Sequence, residues 1–174
     1  MKTRTKFVAF VAVSIDGIIA KSNNSGTDWT SKEDWNFFQK SLSKMDAVIV
    51  GHNTYKIVQK RLDKRNTIVL TSKANKLKSF SSVNFLNPKR STILDFLNKK
   101  KYKKIAILGG PKVYNFCLQN RMLDELFVTI EPYVFTNGIS MFNGDKFKKH
   151  NFILESVKKL NKKGTILLKY RYAN

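Results

Sequence analysis

The chain predicts an α/β domain built on a mixed sheet, and three observations carry that prediction. Short apolar runs alternate with amphipathic helical patterns through most of its 174 residues. Two of those runs end in glycine junctions, Gly51 and Gly109-Gly110, that lead straight into helical sequence. The last quarter is β-rich, with a hairpin signal at Asn161–Gly164. Alternating strands and helices favour parallel pairing, and the terminal hairpin adds antiparallel strands. The length is that of one domain spanning 1–174, enough to bury roughly two thirds of its unfolded surface.

Taken in order, Thr5–Val13 is nearly all apolar, as expected of a strand covered on both faces. Ser14–Thr30 is a long polar loop with Gly17 and Gly26, and long loops in compact domains tend to be functional. Thr30 or Ser31 caps the first helix, with Glu33 and Asp34 in its first turn. Trp35, Phe38, Leu42 and Met45 then recur at helical spacing, so one face lies on the sheet and Asp34 sits at the margin of that buried stripe. Ala47–Val50 is a short strand ending in Gly51-His52-Asn53-Thr54, with a helix over Tyr55–Leu62. Asn66–Leu70 is a strand ending in Thr71-Ser72-Lys73, Val83–Leu86 another, and Thr92–Lys100 an amphipathic helix. Lys104–Leu108 reads as a buried strand bounded by Gly109-Gly110. Pro111 suits a first helical position, and Val113, Phe116, Cys117 and Asn120 fall on one stripe of the helix that follows. Leu123–Val134 is a long strand carrying Thr129 and Glu131. Thr136–Asp145 is a glycine-bearing loop, and Phe152–Leu160 pairs with Thr165–Tyr172.

The formal charge is +21, with 27 Lys against 6 Arg, in scattered bursts such as Lys99–Lys101 and Lys162-Lys163. Scarce Arg and no recognisable nucleic-acid motif make nucleic acid an unlikely partner; the charge reads as solvated faces with a general pull on anions. Cys117 is single and on an apolar stripe, so there is neither a disulfide framework nor a zinc spacing. No apolar window approaches the ~18 residues of a membrane span. Lys2, Arg4 and Lys6 before Phe7–Val13 imitate a secretory start, but Ser14 and Asp16 break the run. The expectation is a mature cytoplasmic protein.

Strand, glycine turn and helix start together aim free backbone N–H groups at whatever lies above the strand end, which favours phosphate. Glycines there also admit backbone conformations, or a peptide geometry, that a side chain forbids. Gly51–Thr54, Thr71–Lys73 and Gly109–Lys112 offer three such ends, and ligands of open α/β sheets sit at the carboxyl ends of strands. Two helix N-termini plus hydroxyls and Lys73 make a clamp for a dinucleotide: two phosphates on the helices and a 2′-phosphate on Ser72 and Lys73. The G-x-G-x-x-G fingerprint is missing, so a dinucleotide is held differently or these are structural turns.

Five segments now carry a resemblance. They are Ser14-Ile15-Asp16-Gly17-Ile18-Ile19-Ala20, Asp46–Tyr55, Ile68–Ser72, Ile107–Tyr114 and Asp124–Pro132. In this order and spacing the chain resembles the dihydrofolate reductase-like superfamily, and within it the RibD-type C-terminal reductase domain of the riboflavin-biosynthesis deaminase–reductases. The resemblance implies a three-layer αβα fold with a mixed, mostly parallel sheet and an antiparallel C-terminal pair. It implies an NADPH-dependent reductase with the nicotinamide near Ala12 and Ile19. Gly51, His52, Asn53 and Thr54, with Gly109, Gly110, Pro111, Lys112 and Val113, would hold the pyrophosphate. Thr71, Ser72 and Lys73 would hold the 2′-phosphate, and Leu70, Leu108 and Tyr114 complete the cofactor contacts. His52 stands where the family usually has Arg. The zinc-bearing deaminase half is absent, so the role would be that of a stand-alone reductase.

For the substrate, the same resemblance names two sets. Trp29 and Asp34 have the spacing of the Trp and acid that folate-reducing members use on the pterin, with Thr129 beside the acid and Phe38 near the substrate. Ser14 and Asp16 instead carry the riboflavin-branch signature, with Asp16 the carboxylate near the substrate. Each has a plainer alternative: Asp34 as a helix-N-terminal charge, Asp16 as a turn residue, Trp29 as a loop anchor and Thr129 as a strand former. Three functions follow as expectations: reduction of a phosphoribosylamino-pyrimidine of the 5-amino-6-(5-phosphoribosylamino)uracil type or a related pyrimidine or pterin; dihydrofolate reduction; or a basic nucleic-acid-binding module without catalysis. A small anionic or heterocyclic substrate and a homodimer, by family analogy, complete the expectation.

Overall fold

Strand β1 (Lys6–Val13) is the axis of the sheet, and its apolar sequence is covered on both faces. The computed structural model describes residues 4–74, 78–89, 93–144 and 146–173. The remaining strands are β2 (Ile18–Ala20), β3 (Ala47–Gly51), β4 (Thr67–Leu70), β5 (Lys78–Phe80), β6 (Val83–Leu86), β7 (Lys104–Ile107), β8 (Glu125–Ile130), β9 (Ile139–Ser140), β10 (Phe152–Lys159) and β11 (Ile166–Tyr172). The helices are α1 (Lys32–Leu42), α2 (His52–Leu62), α3 (Ile93–Lys100) and α4 (Pro111–Gln119). The main sheet runs β10-β11-β8-β1-β7-β3-β4-β6-β5. The six strands from β8 to β6 are mutually parallel; β5, β11 and β10 pair antiparallel at the two ends.

Period-two alternation splits each central strand between two apolar layers. Val8, Phe10, Val48, Val50 and Val69 face Leu42 of α1 and Tyr55 and Leu62 of α2. Phe7, Ala9, Ile49, Ile68, Ile105 and Ile107 face Ile93, Phe96 and Leu97 of α3 and Val113, Tyr114 and Cys117 of α4. The result is the three-layer αβα arrangement, with a mostly parallel sheet and an antiparallel C-terminal pair. Burial pushes the Cys117 thiol up to about 12, which keeps it an inert core group.

Differences from the sequence reading have local causes. Helix α2 starts at His52, not Tyr55, because Gly51 serves as an extended N-cap without a side-chain bond, leaving no capping signal to read. The loops 14–30 and 136–145 contain β2 and β9, which pair with each other; strands of three and two residues are too short to show a period. Strand β5 escaped for the same reason. Strand β8 ends at Ile130, two residues before Pro132. Asn120 is the C-cap of α4 rather than part of its buried stripe. The expected helix start at Thr92 lies outside the described residues.

Ile49 is fully buried between β7 and β4. Ile49→Ala should cost about 2–5 kcal/mol in urea unfolding, with the denaturant slope unchanged.

Candidate active site

The ends of β3 and β7 are neighbours in the sheet, so their two glycine junctions lie side by side. Leu108 N–H donates to Ile49 O at 2.9 Å, and Gly51 N–H donates to Gly109 O at 2.7 Å. Gly109 has φ +85°, and a Cβ there would lie 2.5 Å from Tyr114 Cε2. The Gly109–Gly110 peptide is cis. Tyr114 fills the space beneath Gly109, and its hydroxyl donates to Phe10 O at 2.7 Å, tying α4 to β1. At Gly51 a Cβ would approach Val113 Cγ2 to 3.2 Å, so the two turns are drawn together. Both helices begin on a glycine N-cap with no side-chain hydrogen bond. The opening N–H groups of α2 thus have no side-chain cap. In α4 Pro111 has no N–H and Val113 N–H donates to Gly110 O at 2.9 Å, which leaves Lys112 N–H as the donor of that turn, and the two helix dipoles reinforce each other there.

The end of β4 supplies the third wall. Lys73 N–H donates to Thr71 Oγ1 at 3.2 Å, and Asn87 Nδ2 after β6 donates to Ser72 O at 3.1 Å, which shapes an exposed hydroxyl-and-lysine corner. His52, first residue of α2, stands between this corner and the glycine turns, with its ring edge-on to Phe85. Its Nδ1 is buried without a partner. Burial, then the Lys56 and Lys73 charges, push the His52 pKa down. An orphaned ring nitrogen, two uncapped helix starts and a lysine corner fit an elongated polyanion such as a dinucleotide.

The opposite end of the same cleft is built on β1 and β8. Thr129 of β8 sits in register with Ala12 of β1, and Thr129 is buried. Asp34, in the first turn of α1, lines the same wall of the cleft as Thr129, with Thr30 beside them. Ser31 caps α1, its Oγ accepting from Asp34 N at 3.3 Å. Burial raises the Asp34 pKa, the nearby Glu131 charge adds to that, and the polar neighbourhood of Thr129 and Thr30 opposes it. A half-buried carboxyl that tends to hold its proton, at the wall of an apolar pocket, can bind an amino-heterocycle and donate a proton.

The cleft measures about 1750 Å³, more than the ~300–1,000 Å³ of a single-ligand pocket. Ala12, Ile19, Phe38, Asp34 and Thr129 line it, as do Gly51, His52, Asn53, Thr54, Leu70, Thr71, Ser72, Lys73, Leu108 and Gly110–Tyr114. Gly109 shapes the turn but lies behind the surface. Ser14, Asp16 and Trp29 are placed elsewhere. The Asp16 carboxylate accepts from Ser14 Oγ and from the backbone N–H groups of Phe135 and Thr136, which pins the loop after β1 to the chain after β8. Those bonds, the one from Ser14 first, lower its pKa. Trp29 meets Phe135 edge-on at 5.1 Å. Sequence reading missed Glu131 as a partner of this site. The one available signal was its i, i+2 spacing from Thr129 within the expected strand 123–134, although β8 itself stops at Ile130. It also missed Phe116 and Phe142, which line the cleft with no motif to mark them, whereas Trp35, expected from the sequence to flank the cleft, does line it.

The cleft thus joins two glycine N-caps and a lysine corner at one end to a half-buried acid at the other. The dihydrofolate reductase family profile matches residues 6–172, and the chain belongs to that family of oxidoreductases. It is 31% identical over 125 residues to the dihydrofolate reductase of Buchnera aphidicola subsp. Baizongia pistaciae, covering 71% of this chain and 70% of that protein. It is 29% identical over 146 residues to the uncharacterized protein YwjB of Bacillus subtilis, covering 79% and 83%. Among solved structures it resembles a pyrimidine reductase-like protein of Corynebacterium diphtheriae with a TM-score of 0.77 at 16% identity, over 99% and 93% of the two chains. A deaminase/5-amino-6-(5-phosphoribosylamino)uracil reductase of Thermotoga maritima gives 0.76 at 17%, over 99% of this chain and 58% of that one. An Enterococcus faecalis dihydrofolate reductase complexed with NADP(H) gives 0.66 at 22%, over 97% of each.

Gly109→Ala should force the Tyr114 ring aside and strain a left-handed residue. It should cost about 2–4 kcal/mol of stability, since overpacking and positive φ each cost ~1–3 kcal/mol. Thermal unfolding of the variant beside the parent protein checks it.

Proposed function

We propose that this chain is an NADPH-dependent reductase of the RibD-type branch, acting on a 5-amino-6-(5-phosphoribosylamino)uracil-type pyrimidine or a close relative. The observation that carries the reading is the single cleft that joins two uncapped helix N-termini to the Asp34–Thr129 pair. In this reading the α2 and α4 starts hold the pyrophosphate, and Thr71, Ser72, Lys73 and His52 meet the 2′-phosphate. The bound cofactor supplies the hydride. The nicotinamide lies along Ala12 and Ile19, where apolar side chains exclude water from the transfer. Asp34, oriented by Thr129, grips the amino and ring nitrogens of the heterocycle and delivers a proton where the substrate needs one. The surplus of Lys draws an anionic substrate toward the cleft.

Dihydrofolate reduction is the second reading, and the Asp34–Thr129 pair favours it. Steady-state turnover of both substrates by the parent protein and Asp34→Asn separates the two. Loss of a positioned proton donor should lower turnover by roughly 100-fold or more on the true substrate. Asp34→Asn should also be more stable than the parent at neutral pH. A carboxyl whose pKa is raised in the fold stabilises it below the unfolded pKa and loses that contribution as pH rises through the folded one.

His52 should make cofactor affinity pH-dependent. Its lowered pKa leaves the empty site with a neutral ring at pH 7, and a phosphate favours the imidazolium. Titration by quenching of tryptophan emission, Trp35 lining the cleft, should show NADPH binding tighten as pH falls from 8 to 6. His52→Arg should bind roughly tenfold tighter at pH 8, with that dependence flattened. Absence of NADPH binding beside steeply salt-dependent binding of random DNA would replace this reading with the nucleic-acid one. A cytoplasmic homodimer belongs to the same proposal; edge strand β10 exposes Ile153, Leu154 and Val157, and light scattering should give twice the 20.1 kDa chain mass.

A further inference from the structure

Glu131, one residue past β8, is 1% exposed and has no salt-bridge partner among the described residues. Both of its oxygens are nevertheless engaged. Oε1 accepts the backbone N–H of Ser31 at 2.6 Å, and Oε2 accepts the Thr165 hydroxyl at 2.7 Å. Ser31 is the N-cap of α1, and its own oxygen accepts from Asp34 N, so the chain of bonds runs Glu131, Ser31, Asp34. Thr165 is fixed in turn by Asn161, which also reaches Glu33 Oε2 at 3.3 Å. The α1 start, the end of β8 and the β10–β11 turn are thus tied together at one buried carboxylate. A buried charge without a counter-ion costs several kcal/mol, and a surface glutamate elsewhere would cap the helix as well.

We propose that Glu131 is a positioning residue for Asp34: its buried carboxylate fixes the start of α1 on the Ser31 amide and sets a second carboxyl group beside the acid of the cleft. The inference rests on the reading of Asp34 as the group that handles the heterocycle. Two short bonds fasten Glu131 to the start of α1 and to the β10–β11 turn. Its charge, in a site where solvent screening is weak, disfavours a second carboxylate and so acts with burial to raise the Asp34 pKa. Glu131 is the charged side chain that acts on Asp34. Glu33, on the same turn, points to Asn161 and lies in the fields of Lys32 and Lys163. The hydroxyls of Thr129 and Thr30, which would stabilise an ionised Asp34, are opposed by this neighbour.

The test follows the Asp34 carboxyl by 13C NMR titration of the full chain, with the pH profile of turnover measured alongside. Glu131→Gln keeps the shape and can still accept from Ser31 N–H while donating to Thr165, but loses the charge. Its Asp34 midpoint should move to lower pH by about half a unit or more, and the limb of the turnover profile that Asp34 controls should move with it. Glu131→Asp keeps the charge but is one methylene short of Ser31. It should leave the midpoint near that of the parent while turnover falls, and an unperturbed spectrum away from α1 confirms that each variant folds. An unmoved midpoint in Glu131→Gln, with Asp34→Asn inactive, overturns this inference alone. Undiminished turnover by Asp34→Asn overturns the inference and the reading of the cleft together.

Discussion

The hydrogen bond from Gly51 N–H to Gly109 O, 2.7 Å long, holds the ends of β3 and β7 in register at the point where both strands stop and both helices start. Everything on the anion-binding side of the cleft depends on that contact. It exists because neither partner carries a side chain: Val113 closes on Gly51 from one side and the Tyr114 ring occupies the space beneath Gly109. Tyr114 then carries the constraint across the molecule by donating to Phe10 O on β1. Burial pushes the Tyr114 hydroxyl up, so it stays a neutral donor at any working pH.

The acid end of the cleft follows a different physical rule. In a chain of net charge +21, the charged side chain that raises the Asp34 pKa is another carboxylate, Glu131, and not a lysine that would lower it. The cations are spent on the surface, where Lys6 and Lys169 meet Glu125 and where Lys169 and Arg171 meet Glu155. Such exposed pairs contribute only ~0–1 kcal/mol each. The buried Glu131 does more by standing close to Asp34 in a place that water does not screen. The fold accepts an electrostatic conflict at one spot, and that spot is the wall of the cleft.

Most of the fold was legible because its signals are local. The apolar run 7–13, the helical spacing of Trp35, Phe38 and Leu42, the Pro111 helix start and the glycine junctions each declare an element within a few residues. The glycine junctions that line the cleft were legible for the same reason, since a strand end, a glycine and a helix start are contiguous in the chain. What stayed hidden depends on partners far apart in sequence. Strands β2 and β9 pair residues 18–20 with 139–140, and neither segment has a period of its own. Glu131 meets Ser31 across 100 positions and Thr165 across 34. Asp16, marked by its motif, spends its carboxylate on Phe135 and Thr136 N–H groups that no local pattern announces.

The sequence by itself determined the αβα layering, the three strand ends that line the cleft and the family to which the chain belongs, because periodicity and glycine placement act over a few residues. The tertiary structure decided which carboxylate reaches the cleft. Burial and hydrogen bonding are properties of assembled surfaces, so only the packed sheet could put Asp34 beside Thr129 and Glu131 and turn Asp16 away.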